Sequence, residues 1–208
     1  MNLARRERLA LCDLARAVGP NAPTRCGDWD ATDLVTHLLV RERDPLGALG
    51  IAVGPLGALA DRAMARRRAT PYDELVERLR SPGITPYALP AVERLANTLE
   101  YLVHHEDLRR GQPHWTPRTL PPADLDRIWR LATVAGRMLV RPAGVPVRAV
   151  RSDTGAGATL RGGADPVVVS GPVVEVTLFL FGRSAVQDLT LDGPPDRVAA
   201  VRGADLGM

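Results

Sequence analysis

Apolar residues in the first half of the chain recur at helical spacing, and capping residues mark where each run opens and closes. Asn2 is placed to cap a helix running to about Ala17, with Leu3, Leu9, Ala10, Leu14 and Ala17 roughly on one face. Gly19-Pro20 stops it. After a loop over 21–28, Asp30 suits the N-cap of a second helix, on which Leu34, His37, Leu38 and Arg41 fall at i, i+3, i+4 and i+7. A third segment opens at Thr70-Pro71, with Thr70 as N-cap, Pro71 at N1 and Asp73 and Glu74 in the first turn. It either starts there or continues a helix begun near Leu56, and Pro82-Gly83 ends it. A fourth helix opens after Pro90 and runs to about Arg110, closed by Gly111. Leu95, Leu99, Leu102 and Val103 share one of its faces, with Glu100 and His104 beside them. Four helices with short or medium connections predict an antiparallel bundle. A fifth, from Pro122 to Arg141, carries the stripe Leu125, Ile128, Trp129, Ala132 and Leu139.

After Pro142 the pattern shortens. Val145, Val147 and Ala149 alternate with Arg148 and Arg151 as a strand would, and Thr159–Arg161 and Val167–Val169 are further strands between Gly-rich turns. Leu189–Gly193 reads as a short strand and turn. The run Gly171–Phe181 is ambiguous: its β-branched residues favour a strand, its length and Pro172 at an N1 position favour a helix. The expected organisation is mainly α: a helical bundle over 1–115, then a connecting helix and a small α+β domain over 116–208, with 142 as the alternative functional boundary.

Composition narrows the classes. At 208 residues the chain can bury a substantial core, and its 45% hydrophobic and 25% charged residues are ordinary for a soluble globular protein. All 27 Lys/Arg positions are Arg, beside 19 Gly and 18 Pro, as a GC-rich genome would encode. The net charge of +3 therefore argues weakly for nucleic acid. No concentrated basic stripe, aromatic stacking platform or helix-turn-helix signature accompanies it, and the Arg residues alternate with Asp and Glu as on solvated faces. No uninterrupted apolar run follows the charged Met1–Arg8, and the most apolar stretch, Leu46–Ala60, falls short of the roughly 20 residues a bilayer span needs. Cys12 and Cys26 form no CxxC pair. A cytoplasmic protein without membrane partners, monomeric or homodimeric, is expected.

Chemistry concentrates in Glu100-Tyr101-Leu102-Val103-His104-His105-Glu106-Asp107. On a helix, Glu100 and His104 are i, i+4 neighbours and can reach one divalent ion. Asp107 is placed to receive the other ring N–H of His104, as histidine ligands to metals usually require. His105 is rotated by about 100° from His104 and cannot ligate through the same face. A third ligand must come from another helix, and His37 is the only histidine on the second one. His37, Glu100 and His104 would form a His₂–carboxylate set suited to catalytic zinc, with nickel, iron or manganese as alternatives. Taken singly, the same residues have plainer readings: His37 as a hydrogen-bonded, half-buried histidine, His114 as a loop residue, Arg66–Arg68 as a solvated helix end, and Trp29 and Trp115 as core or lid. Neither cysteine has a histidine near it in sequence, which makes either one unattractive as a nucleophile.

Trp29-Asp30-Ala31-Thr32-Asp33-Leu34-Val35-Thr36-His37-Leu38 resembles the W-x3-DL-x2-HL motif of the DinB-like, mycothiol-dependent maleylpyruvate isomerase N-terminal family. Glu100-x3-His104-x2-Asp107-Leu108 is similar to that family's second metal motif, and Ala22–Cys26 resembles its lead-in to the second helix. The resemblance covers roughly residues 1–115. The tail is similar to the family's small C-terminal domain through Val167–Pro172 and Leu178–Arg183, a stretch that is helical in the family. The resemblance implies a four-helix bundle, a divalent metal held by His37, Glu100 and His104, and an actinobacterial source. The doubled His104-His105 followed by Glu106-Asp107 is closest to a branch of metal-binding proteins with no assigned reaction.

Two functions follow. In the first, the metal activates a low-molecular-weight thiol such as mycothiol for S-transfer or isomerisation of an electrophile; Arg41, one turn after His37, would face an anionic substrate or pair with a neighbouring acid. In the second, the protein binds metal without turnover, as a sensor or interaction module.

Overall fold

Side-chain caps set the first two helices in the computed structural model, which describes residues 1–207. Asn2 accepts from the Arg5 N–H to open α1 (Leu3–Val18), and Asp30 and Asp33 form a reciprocal capping box at the start of α2 (Ala31–Arg43). The chain is mainly helical, 59% helix and 10% strand. It divides into two units, Met1–Thr116 and Pro117–Met208.

In the N-terminal unit, α3 (Pro45–Ala52) and α4 (Gly57–Arg68) follow α2, then α5 (Tyr72–Arg80), α6 (Pro90–Ala96) and α7 (Thr98–Gly111). The core is drawn from α1, α2, α5 and α7: Leu11, Cys12, Ala15, Leu34, Leu38, Leu75, Leu79, Tyr101 and Leu108 are fully buried. Burying each such leucine contributes about 1.5–3 kcal/mol.

Several sequence expectations change. Pro71, not Thr70, is the N-cap of α5, and Pro71 makes no side-chain cap bond. α5 does not continue α4, because the chain leaves helical geometry between Arg68 and Tyr72. The single helix expected from Pro90 to Arg110 is two, broken at Asn97. Leu95 consequently leaves the apolar face it was expected to share and is 71% exposed. The apolar stretch Leu46–Ala60 forms a tight α3–α4 hairpin. Leu46, Leu49, Val53 and Leu56 are exposed, while Gly47 and Gly50 form the seam, where a Cβ would meet Val40 Cγ1 at 2.4 Å and the Ala60 nitrogen at 2.5 Å. Arg66–Arg68 closes α4 with Arg66 and Arg68 exposed, as expected of a solvated helix end, and these two also form ion pairs: Arg66 with Asp44 at 2.5 Å, and Arg68 with Asp30 at 2.8 Å and with Asp33.

The C-terminal unit opens with α8 (Pro122–Leu139), whose Ile128, Trp129, Ala132 and Leu139 are buried. Four strands, β1 (Val147–Arg151), β2 (Gly157–Arg161), β3 (Val167–Gly171) and β4 (Thr190–Asp192), form one sheet in the order β2-β1-β3-β4. The β1–β3 pair is parallel and the outer pairs are antiparallel. The ambiguous 171–181 run contains a helix, α9 (Val173–Leu180), with Pro172 as its N-cap rather than at N1. α10 (Pro195–Gly203) is the last helix among the described residues.

Candidate metal centre

The centre is built where α2 and α7 face each other. His37 lies on α2, one turn before Arg41, and Glu100 and His104 stand one turn apart on α7. Their ligand atoms lie within 4.8 Å of one another. His37 Nε2 is 3.6 Å from Glu100 Oε1, and His104 Nε2 is 3.5 Å from the same oxygen. A tetrahedral zinc with nitrogen and oxygen ligands at about 2.0–2.1 Å separates those ligands by about 3.3 Å, so the two nitrogen–oxygen separations fit a divalent ion with little adjustment. All three side chains are largely, not wholly, buried, at 12%, 19% and 10% exposure for His37, Glu100 and His104.

Each ligand is oriented from behind. His104 Nδ1 lies 3.1 Å from Asp107 Oδ2, an acceptor-only carboxylate that directs the opposite nitrogen, Nε2, toward Glu100. The His37 ring packs on Trp29, with centroids 4.9 Å apart, and meets the His104 ring edge-on at 5.2 Å. Arg41 Nε sits 3.2 Å from Glu100 Oε1, while its NH1 donates to Asn97 Oδ1 at 2.8 Å and its NH2 to the Ala96 carbonyl at 3.1 Å. The guanidinium is thereby fixed in a fork at the α6–α7 break.

These contacts separate the protonation of the three groups. Burial lowers the His37 pKa, and the nearby Glu100 carboxylate does not reverse it. Burial would raise the Glu100 pKa, but His104, His37 and Arg41 outweigh it and hold the carboxyl well below its usual range. For His104, burial opposes the charge, yet Asp107, Cys26 and Glu100 together lift the imidazole well above its ordinary value. A neutral histidine and an ionised carboxylate are the forms a metal ligand requires, and at His104 a metal ion would take the place of a proton.

Sequence reasoning missed two parts of this neighbourhood. The first is Cys26, half-buried, whose thiol donates to Asp107 Oδ2 at 2.9 Å and lies 3.6 Å from His104 Nδ1. It has no histidine beside it in sequence, but the fold supplies one. The loop over 19–30 is stapled to the end of α7: Arg25 N donates to the Asp107 carbonyl at 3.0 Å, Arg25 Nε to the Arg110 carbonyl at 2.7 Å, and Gln112 Nε2 to the Pro23 carbonyl at 2.9 Å. Gly27 turns the chain with φ of 54°, a conformation glycine adopts without strain.

The second is a buried polar network behind the site. Arg8 donates to both Glu42 oxygens at 2.8 and 2.7 Å and stacks over Tyr101 at 4.3 Å. Glu42 Oε1 also accepts from Asn97 Nδ2 at 2.7 Å and from the Tyr101 hydroxyl at 2.9 Å. Asn97 joins this network to Arg41 and so to Glu100. His105 faces away from the centre and pairs with Glu7 on α1 at 2.7 Å.

Compared with protein-family models, curated proteins and solved structures, the chain finds no match in any of the three.

Proposed function

We propose that the protein holds a divalent metal, zinc first, through His37, Glu100 and His104, and uses it in a mycothiol- or similar thiol-dependent S-transfer or isomerisation. The observation that carries this reading is the convergence of three ligand atoms from two helices within 4.8 Å of one another. The core helices α1, α2, α5 and α7 would be the four members of a DinB-like bundle. When bound, the ion supplies the Lewis acidity that lowers a thiol's pKa and holds its sulfur as the nucleophile near neutral pH.

The chain's own residues would do the rest. His37, Glu100 and His104 bind and leave part of the coordination sphere to solvent or ligand, as catalytic sites do. Asp107 holds the Nδ1 proton of His104 and sets the direction of the ring. Arg41, fixed by Asn97 and Glu100, would present its charge to an anionic group on the thiol or on the electrophile.

The test is consumption of mycothiol by the zinc-loaded protein in the presence of a model electrophile. Turnover above a His37→Ala control supports the transferase. Thiol consumption no greater than that control, with zinc bound, overturns S-transfer; if the electrophile is also neither consumed nor isomerised, isomerisation falls as well and a metal-binding sensor or interaction module is left.

A further inference from the structure

We propose that His104 serves two metal positions. Beyond the set of His37, Glu100 and His104, a second divalent cation fits between Cys26 Sγ, His104 Nδ1 and Asp107 Oδ2. This rests on the proposed function only for the first position; the second stands on its own three residues.

Cys26, His104 and Asp107 each offer one ligand atom, all within 4.8 Å of one another. Sγ lies 3.6 Å from Nδ1 and 2.9 Å from Oδ2, and Nδ1 lies 3.1 Å from Oδ2. With a zinc–sulfur bond of about 2.3 Å and zinc–nitrogen or zinc–oxygen bonds of about 2.0 Å, tetrahedral ligands are about 3.3–3.5 Å apart. The nitrogen–sulfur and nitrogen–oxygen separations match that closely, and the sulfur–oxygen pair must open by about half an ångström. The two sets use opposite nitrogens of one ring, so neither excludes the other.

Charge favours the second position. A thiolate and a carboxylate supply two negative charges against a divalent cation, whereas Glu100 already shares its charge with Arg41 at 3.2 Å. The thiolate also biases the position toward thiophilic ions such as zinc over magnesium or calcium. Entry of the ion releases the Cys26 thiol proton and the His104 Nδ1 proton to solvent. With both positions filled, Nε2 also coordinates and the ring bridges the two ions as an imidazolate.

One bond ties the Cys26 loop to α7 and a second fixes Cys26 within the loop. The Arg25 N–H donates to the carbonyl of Asp107 itself, and the Cys26 N–H donates to Thr24 Oγ1 at 3.1 Å. The ligand-bearing loop is therefore positioned by backbone bonds that metal binding does not break. Cys26 is half-buried rather than sealed, so an ion can reach it, whereas Cys12 is fully buried in the core.

Cobalt(II) titration of the full chain, stripped with a chelator, tests this. The expected result is two equivalents bound, one of them with a near-ultraviolet thiolate-to-cobalt charge-transfer band. Cys26→Ser should lose that band and one equivalent; His37→Ala should lose the other equivalent and keep the band. A charge-transfer band that disappears in Cys26→Ser, with no change in His37→Ala, sustains the second position and overturns the first. Binding without the band, a band that survives Cys26→Ser, or no binding at all overturns this proposal. Alkylation of wild-type Cys26 by iodoacetamide supplies a readout independent of variant folding: zinc should slow it at least tenfold, and an unchanged rate contradicts the proposal.

Discussion

Cys26 donates its thiol proton to Asp107 Oδ2 at 2.9 Å, joining the loop before α2 to the last turns of α7. That contact depends on how closely the loop approaches the helix. At Gly111 an added Cβ would fall 2.1 Å from the Pro23 carbonyl oxygen, so only glycine admits the loop there. Gly111→Ala should therefore push Pro23–Cys26 outward, destabilise the fold by about 1–3 kcal/mol as overpacking does, and raise the alkylation rate of Cys26. Denaturant unfolding and thiol labelling measure the two effects; unchanged labelling would show that the staple does not set the position of the thiol.

The two cysteines should differ sharply as nucleophiles. Burial pushes the Cys12 thiol up to about 12 despite nearby Arg80 and Arg8. The thiolate form is thus negligible near pH 8, and the fold favours the neutral thiol through the range where an unperturbed cysteine ionises, near 8.5. Native protein at pH 8 should consume one equivalent of alkylating reagent quickly, at Cys26. Cys12 should react only on unfolding. Peptide mapping of the labelled protein distinguishes them, and rapid native labelling of Cys12 would contradict the buried placement.

Removing the Glu42 charge should cost far more than a surface substitution. Arg8 and Glu42 are 0% and 1% exposed at the side chain, and Glu42 Oε1 also receives Asn97 and Tyr101. Glu42→Gln leaves the buried Arg8 cation without its bidentate partner and with Glu93, 3.7 Å from its Nε, as its remaining counter-charge; breaking a buried pair costs about 3–5 kcal/mol. The expected outcome is a fall of that size in unfolding free energy. A loss below about 1 kcal/mol, the range of exposed pairs, would mean that the network is solvated in solution.

Arg41 Nε lies 3.2 Å from Glu100 Oε1 and would compete with a bound cation for that carboxylate. Arg41→Met should tighten zinc binding, on the order of tenfold for each 1.4 kcal/mol of competition removed, while raising KM for an anionic thiol cosubstrate. Calorimetric zinc titration and steady-state kinetics read the two separately. Weaker zinc binding in this variant would show that Arg41 orients Glu100 rather than competing for it.

The convergence of His37, Glu100 and His104 was legible because they lie on two helices whose periodicity is plain: the Glu100–His104 spacing and the position of His37 on the α2 face need no tertiary knowledge. The Cys26 set was not. It depends on a loop whose backbone bonds to the Asp107 and Arg110 carbonyls leave no periodic trace. Leu95 was misread for a related reason. Its spacing fits a continuous helix, but Asn97 commits its oxygen to Arg41 and its nitrogen to Glu42 at the break between α6 and α7. The exposed leucines of the α3–α4 hairpin show the limit of counting apolar residues, since there the glycines make the close contact.

Zinc titration in a Cys26→Ser background isolates the set formed by His37, Glu100 and His104. One equivalent should bind, be lost on adding His37→Ala, and be unchanged on adding His105→Ala while the fold is retained. Equal binding by Cys26→Ser and the His37→Ala double variant, or no binding by either, would contradict metal binding by this set.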